Sequence, residues 1–115
     1  MSYWITLCNE GENVIIDHHQ EGGTFAVGGT SEACLNVTYN YGGHIRDHLD
    51  KENGLRWLHG KTGAETAAKL EHAVNELGTK QSNDYWEATP GNAGYALSIL
   101  AKWAVQYPNA IWRVN

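Results

Sequence analysis

The chain has 115 residues, 18% of them charged, with five Trp, six Tyr and a formal net charge of −5. That length suits a single domain over 1–115 with a core of its own, and the charge creates a field that repels phosphate backbones and anionic bilayers, so neither nucleic acid nor a membrane is an expected partner. The acids are too dispersed to imitate a phosphate stripe, and the only cysteines, Cys8 and Cys34, lie in apolar segments outside any C-x-x-C pair, which reads as buried free thiols in a reducing, cytosolic setting.

The opening "MSYWITLCNEGENV" has no basic region and a short apolar run, so neither a signal peptide nor a membrane span is expected. Strands are expected over 3–7 and 13–18, joined through the turn "NEGEN" as a hairpin, with a short one at "TFAV". In "ACLNVTYN", Ala33, Leu35, Val37 and Tyr39 alternate with Cys34, Asn36, Thr38 and Asn40, the pattern of a half-buried strand.

From Gly42 the period becomes helical. A short helix over 44–49 would turn Ile45 and Leu49 to the core, and "LRWLHG" reads as another turn or two closed by Gly60. A longer helix is expected over 63–77, where Thr62 and Glu65 form a capping box, Ala67, Leu70, Val74 and Leu77 form a stripe, and Gly78 stops the segment. Thr89 and Pro90 start a last helix that runs to about Tyr107. Its polar row is narrow, Gly94, Ser98, Lys102 and Gln106, so most of its circumference needs cover from its own sheet or from a second copy in a homodimer. "IWRV" reads as a closing strand able to join the N-terminal sheet. The expected class is α+β, an antiparallel sheet of N-terminal strands plus a C-terminal strand with three or four helices packed on one face.

Three stretches invite a chemical reading. In "GGHIRDH", His44 and His48 lie about 40° apart around a helix, so both can reach one zinc ion. Asp47 would stand where H-x-x-E-H peptidases carry a glutamate base, one methylene short, and Glu71 on the next helix is the best third ligand. Against this zinc-hydrolase reading stands the simpler one, histidines at the margin of an apolar face. His18 and His19 are adjacent on a strand, so they point to opposite sides and read as a strand end.

"GKTGAE" fails the phosphate-loop pattern, since five residues rather than four separate Gly54 from Gly60 and no strand leads in. It leaves a helix N-terminus with free N–H groups beside Lys61, able to hold an anion, against plain capping by Thr62. "NDYWEATPGN" sets Tyr85 and Trp86 before a helix start, where stacked rings could clamp a base. Lys61, Thr62, Tyr85 and Trp86 are therefore the candidate set for a small nucleotide-like ligand. No nucleophile arrangement and no cofactor motif is visible.

Taken together, "GGTFAVGGTSEA", "LNVTYNYG", "LHGKTGAE" and "DYWEATPGNAGYAL" resemble a family of small tailed-bacteriophage proteins of unassigned function, over nearly the whole chain. The resemblance implies a viral or prophage origin and the host cytoplasm, and it brings no catalytic residues. It departs where Gly42, Gly43 and His44 follow "YNY", at a place where the family continues with serine. The expected function is accordingly a non-enzymatic accessory protein that binds a host protein, with inhibition of host defence as the role the setting suggests. Nucleotide sequestration and zinc-dependent hydrolysis are the alternatives.

Overall fold

Glu10 and Gly11 both take positive φ, 53° and 83°, the pair of values that makes a two-residue type I′ turn and gives a hairpin its twist. In the computed structural model, which describes residues 2–19, 30–84 and 86–115, this turn joins β1 (Ser2–Asn9) to β2 (Glu12–Asn13). The expected strand at "TFAV" lies outside the described residues, and so does Tyr85.

The strand expected over 13–18 is divided. The Leu7 N–H donates to the Ala33 carbonyl at 2.9 Å, the Val14 N–H to the Leu7 carbonyl at 2.9 Å, and the Ala33 N–H to the Val14 carbonyl at 2.8 Å. A residue in an antiparallel strand aims its N–H and C=O at the same edge. One edge of β1 is therefore shared: β2 takes its far end and β5 (Cys34–Thr38) its near end, Ser2 opposite Thr38 through Thr6 opposite Cys34. Between them, β3 (Ile15–His19) and β4 (Thr30–Glu32) leave as a separate antiparallel pair. Leu7, Val14 and Ala33 are all buried at the junction. The other edge of β1 pairs antiparallel with β6 (Ile111–Val114), the expected closing strand.

The inward row of β5 is Ala33, Leu35 and Val37, as its alternation predicts, but it stops there. The Thr38 hydroxyl accepts from the Asn40 N–H at 3.2 Å and turns the chain into a 3-10 turn, Tyr39–Tyr41. Tyr41 is thereby fully buried, while Tyr39, expected to continue the inward row, stays 39% exposed.

Helix α1 (Gly42–His48) starts two residues earlier than its periodicity suggests and buries Ile45, with Leu49 buried just beyond. A 3-10 turn, Gly54–Leu58, sinks Leu55 and Leu58 into the core and starts from a glycine at φ 57°. Helix α2 (Gly63–Leu77) has the expected bounds and a complete capping box. Helix α3 (Pro90–Gln106) begins at the expected Thr89 cap, whose hydroxyl accepts from the Asn92 N–H at 3.0 Å. The fold is α+β with three α-helices. They pack on the sheet face that carries Ile5, Leu7, Leu35, Val37 and Trp112.

Helices α2 and α3 run antiparallel, and glycines let their ends close. A Cβ on Gly63 would stand 2.6 Å from the Ala104 and Tyr107 carbonyl oxygens, and one on Gly94 would strike the Gly78 backbone. Gly94 therefore belongs to the buried side of α3, which removes it from the polar row expected for that helix. Nine residues of α3 are buried within the chain itself. Much of its broad apolar face is thus covered within the chain, chiefly by α2, while Tyr95 and Val105 stay exposed at 39% and 58%. Among the described residues no helix is long and apolar enough to cross a membrane.

Candidate functional site

The two histidines of "GGHIRDH" diverge. The His44 Nε2 lies 2.8 Å from the Ala88 carbonyl oxygen, which can only accept, so this nitrogen carries the proton. One turn later the His48 Nδ1 lies 3.2 Å from Glu76 Oε1, and His72 Nε2 approaches the same oxygen at 3.1 Å. Glu76, a turn beyond the expected Glu71, is what meets His48. Glu71 is exposed on α2. Among the described residues no three His, Cys, Asp or Glu side chains are grouped to hold a metal ion. The expected set His44, His48 and Glu71 is not assembled, because α1 lays its first turn against the loop before α3 and its last turn against the end of α2.

The start of α2 is occupied by its own chain. The Thr62 N–H donates to Glu65 Oε1 at 3.0 Å, the Gly63 N–H to the Ala110 carbonyl at 2.9 Å, the Ala64 N–H to the Pro108 carbonyl at 2.9 Å, and the Glu65 N–H to the Thr62 hydroxyl at 3.2 Å. All four first-turn donors, which would otherwise face an anion, are satisfied internally. The Glu65 carboxylate adds negative charge at the same spot. Hydrogen bonds from the Thr62 backbone, then from its hydroxyl, hold this carboxyl below its ordinary pKa, with Lys61 adding a smaller push the same way against slight desolvation. Lys61 itself bonds the Trp57 carbonyl at 2.7 Å and lies 4.8 Å from the centre of the Trp57 ring, which Lys69 approaches to 4.4 Å.

Trp86 stands at the opposite end of α2, since the start of α3 lies against Gly78. Fifteen helical residues place the two ends about 22 Å apart, so Lys61 and Thr62 cannot join Trp86 around one small ligand. The candidate nucleotide set is two separate places.

What surrounds Trp86 is a different arrangement. The described residues 82–84 and 86–89 before α3 are held from inside by Asn92 and from outside by Asn40, whose Nδ2 donates to the Trp86 carbonyl at 2.9 Å, and by His44. Trp86 is 42% exposed. Beside Asn40 stands Tyr39, whose ring meets that of Tyr3 edge-on with centroids 4.5 Å apart. The Arg56 guanidinium lies 5.4 Å from the centre of the Tyr3 ring. Arg56, Tyr3 and Tyr39 are thus in contact in succession, and Asn40 ties this group to the Trp86 backbone; together they make up the aromatic ridge.

Only Trp86 of this ridge stands out in the sequence. Tyr3 and Tyr39 sit in strand-like alternation that assigns them to packing, and their meeting depends on the register that sets Tyr3 opposite Val37. The signal available beforehand was compositional: an excess of Trp and Tyr, amphipathic rings that suit both core and interface.

The outer face of the sheet differs from the ridge. It mixes Trp4, 42% exposed, and Ile111, 47% exposed, with Thr6, Asn36 and Arg113. Both cysteines are here, neither in a disulfide among the described residues, with Cys8 buried and Cys34 half-buried. No protein family, curated protein or solved structure matches this chain.

Proposed function

We propose that the protein is a phage-encoded, non-enzymatic accessory protein that binds a host protein in the host cytoplasm, with the aromatic ridge as its contact surface. One observation carries this reading: Arg56 lies against Tyr3, Tyr3 against Tyr39, and Asn40, next in the chain, bonds the Trp86 carbonyl, with Tyr39 and Trp86 each about two-fifths exposed. Tyr, Trp and Arg are the side chains most enriched among those that contribute most when an interface forms, and the two aromatic ones bury large areas with few rotors to immobilise. The side chains that suggested chemistry, His44, His48, Lys61 and Thr62, are by contrast engaged in holding the fold together. The phage resemblance supplies the setting, and inhibition of a host defence is the role that setting favours.

Capture from bacterial host lysate on the immobilised protein tests the reading. The expected outcome is one partner retained in near-equal amount and lost when Tyr39→Ala is combined with Trp86→Ala. Retention of nothing by the native chain, or of the same partner by the double variant, would overturn it.

A further inference from the structure

We infer that His59 is a pH-sensitive latch between the 3-10 turn Gly54–Leu58 and β6, closed while its ring is neutral and opened when the ring takes up a second proton. The Val114 N–H donates to the His59 Nδ1 at 3.0 Å. A backbone N–H can only donate, so this nitrogen is the unprotonated acceptor of the imidazole. A second proton would land on that same nitrogen and set two donors face to face, so the bond and the charged ring exclude each other.

The latch completes the cover on one edge of β6. The Gly63 N–H donates to the Ala110 carbonyl, the Trp112 N–H to the Lys61 carbonyl and the Gly60 N–H to the Trp112 carbonyl, all at 2.9 Å. Val114 supplies the next donor along that edge, and a side chain meets it where backbone meets the others. The His59 N–H in turn donates to the Arg56 carbonyl at 3.0 Å, Arg56 lies against the Tyr3 ring, and Val114 pairs with Ile5. His59 therefore joins the turn that carries Arg56 to the sheet that carries Tyr3.

The other histidine rings with described contacts answer acid differently. His44 faces a carbonyl oxygen, and His48 and His72 face one Glu76 oxygen, so each presents a donor that survives charging of the ring. The charged groups on the elements His59 joins are Arg56 on the turn, Lys61 just beyond it and Arg113 on β6, all cations, and β1 beyond β6 carries no charged side chain. Glu65, at the start of α2, is engaged with Thr62. No carboxylate pairs with His59 among the described residues, so no partner there replaces the lost bond. The contribution of the latch is thus present above the range where an imidazole ordinarily titrates, about pH 6.5, and lost as the pH falls through it.

The test is hydrogen exchange of the backbone amides of the full chain, followed by NMR between about pH 8 and about pH 5, a span that leaves carboxylates ionised. Each rate is divided by that of an unstructured amide at the same pH. Protection of the Val114 amide should fall about tenfold or more across the span, while that of Trp112, bonded to the Lys61 carbonyl on the same edge, changes by less than about threefold. His59→Asn keeps an acceptor at the place of Nδ1 and cannot titrate there, so it should hold Val114 protected at both ends of the span. Val114 protection that is absent at pH 8, that stays constant in the native chain, or that falls equally in His59→Asn would overturn the inference.

Discussion

At the scale of single residues, Asn92 organises more of the surface than any side chain on that surface. It is 4% exposed. Its Oδ1 accepts from the Ser82 N–H at 2.9 Å, and its Nδ2 donates to the Ser82 hydroxyl and to the Asp84 and Glu87 carbonyls at 2.9–3.0 Å. Removing such a hub strands several polar groups in a dry place, so Asn92→Ala should cost about 3 kcal/mol in urea denaturation. Asn92→Asp should be at least as harmful at neutral pH, because a carboxylate would face carbonyl oxygens that an amide satisfies. Stability within error of the native chain for Asn92→Ala would show that the loop holds without it.

Glu65 carries the pH dependence of the capping box. Its pKa is lower in the fold than in the open chain, chiefly through the Thr62 backbone and hydroxyl. A carboxyl shifted that way contributes stability above its unfolded pKa and loses it as pH falls through the folded value. Glu65→Gln keeps the shape and removes the charge. Melting curves from pH 7 to 3 should therefore show the native chain ahead of the variant at neutral pH, with the gap closing below about pH 4. A gap that stays constant across the range would mean the charge plays no part.

At the scale of elements, the closest approach is where α2 begins under the end of α3. Gly63 is needed there for space, since its backbone is ordinary helix and a Cβ would meet two carbonyl oxygens that belong to another element. Gly63→Ala should destabilise the protein by about 1–3 kcal/mol despite alanine's better helix propensity. A gain in stability would show that α3 can shift to make room. The bounds of α2 and the start of α3 were legible in the sequence because Thr62, Glu65, Thr89 and Pro90 act locally, through bonds that span three or four residues. The three-way strand junction was not legible. It depends on Leu7, Val14 and Ala33 sharing hydrogen bonds across long stretches of chain, and no local pattern encodes which strand takes which part of an edge. The partners of the histidine pair were not legible for the same reason. Its spacing fixed a common helix side, while Ala88 and Glu76, the partners that define each ring's role, are set by tertiary packing.

At the scale of the whole molecule, the apolar surplus divides into two parts with different uses. Most of it closes the core: Trp112 is fully buried and donates from Nε1 to the Thr66 hydroxyl at 2.8 Å, fixing β6 to α2. The outer edge of β6 is then covered by the segment before α2, through Gly60 N–H to Trp112 carbonyl and Trp112 N–H to Lys61 carbonyl, both 2.9 Å. Tyr39 and Trp86 lie outside on the ridge, while Trp4, Ile15, Tyr95, Val105 and Ile111 are exposed elsewhere. Exposed rings on the ridge add little to folding, so their removal should separate binding from stability.

The most direct measurement is therefore the Tyr39→Ala, Trp86→Ala double variant, assayed side by side for urea stability and for retention of the partner from host lysate. Stability within about 1 kcal/mol of the native chain together with loss of the partner is the predicted result. Undiminished retention of the partner by a variant that is equally well folded would contradict the assignment of the ridge as the binding surface.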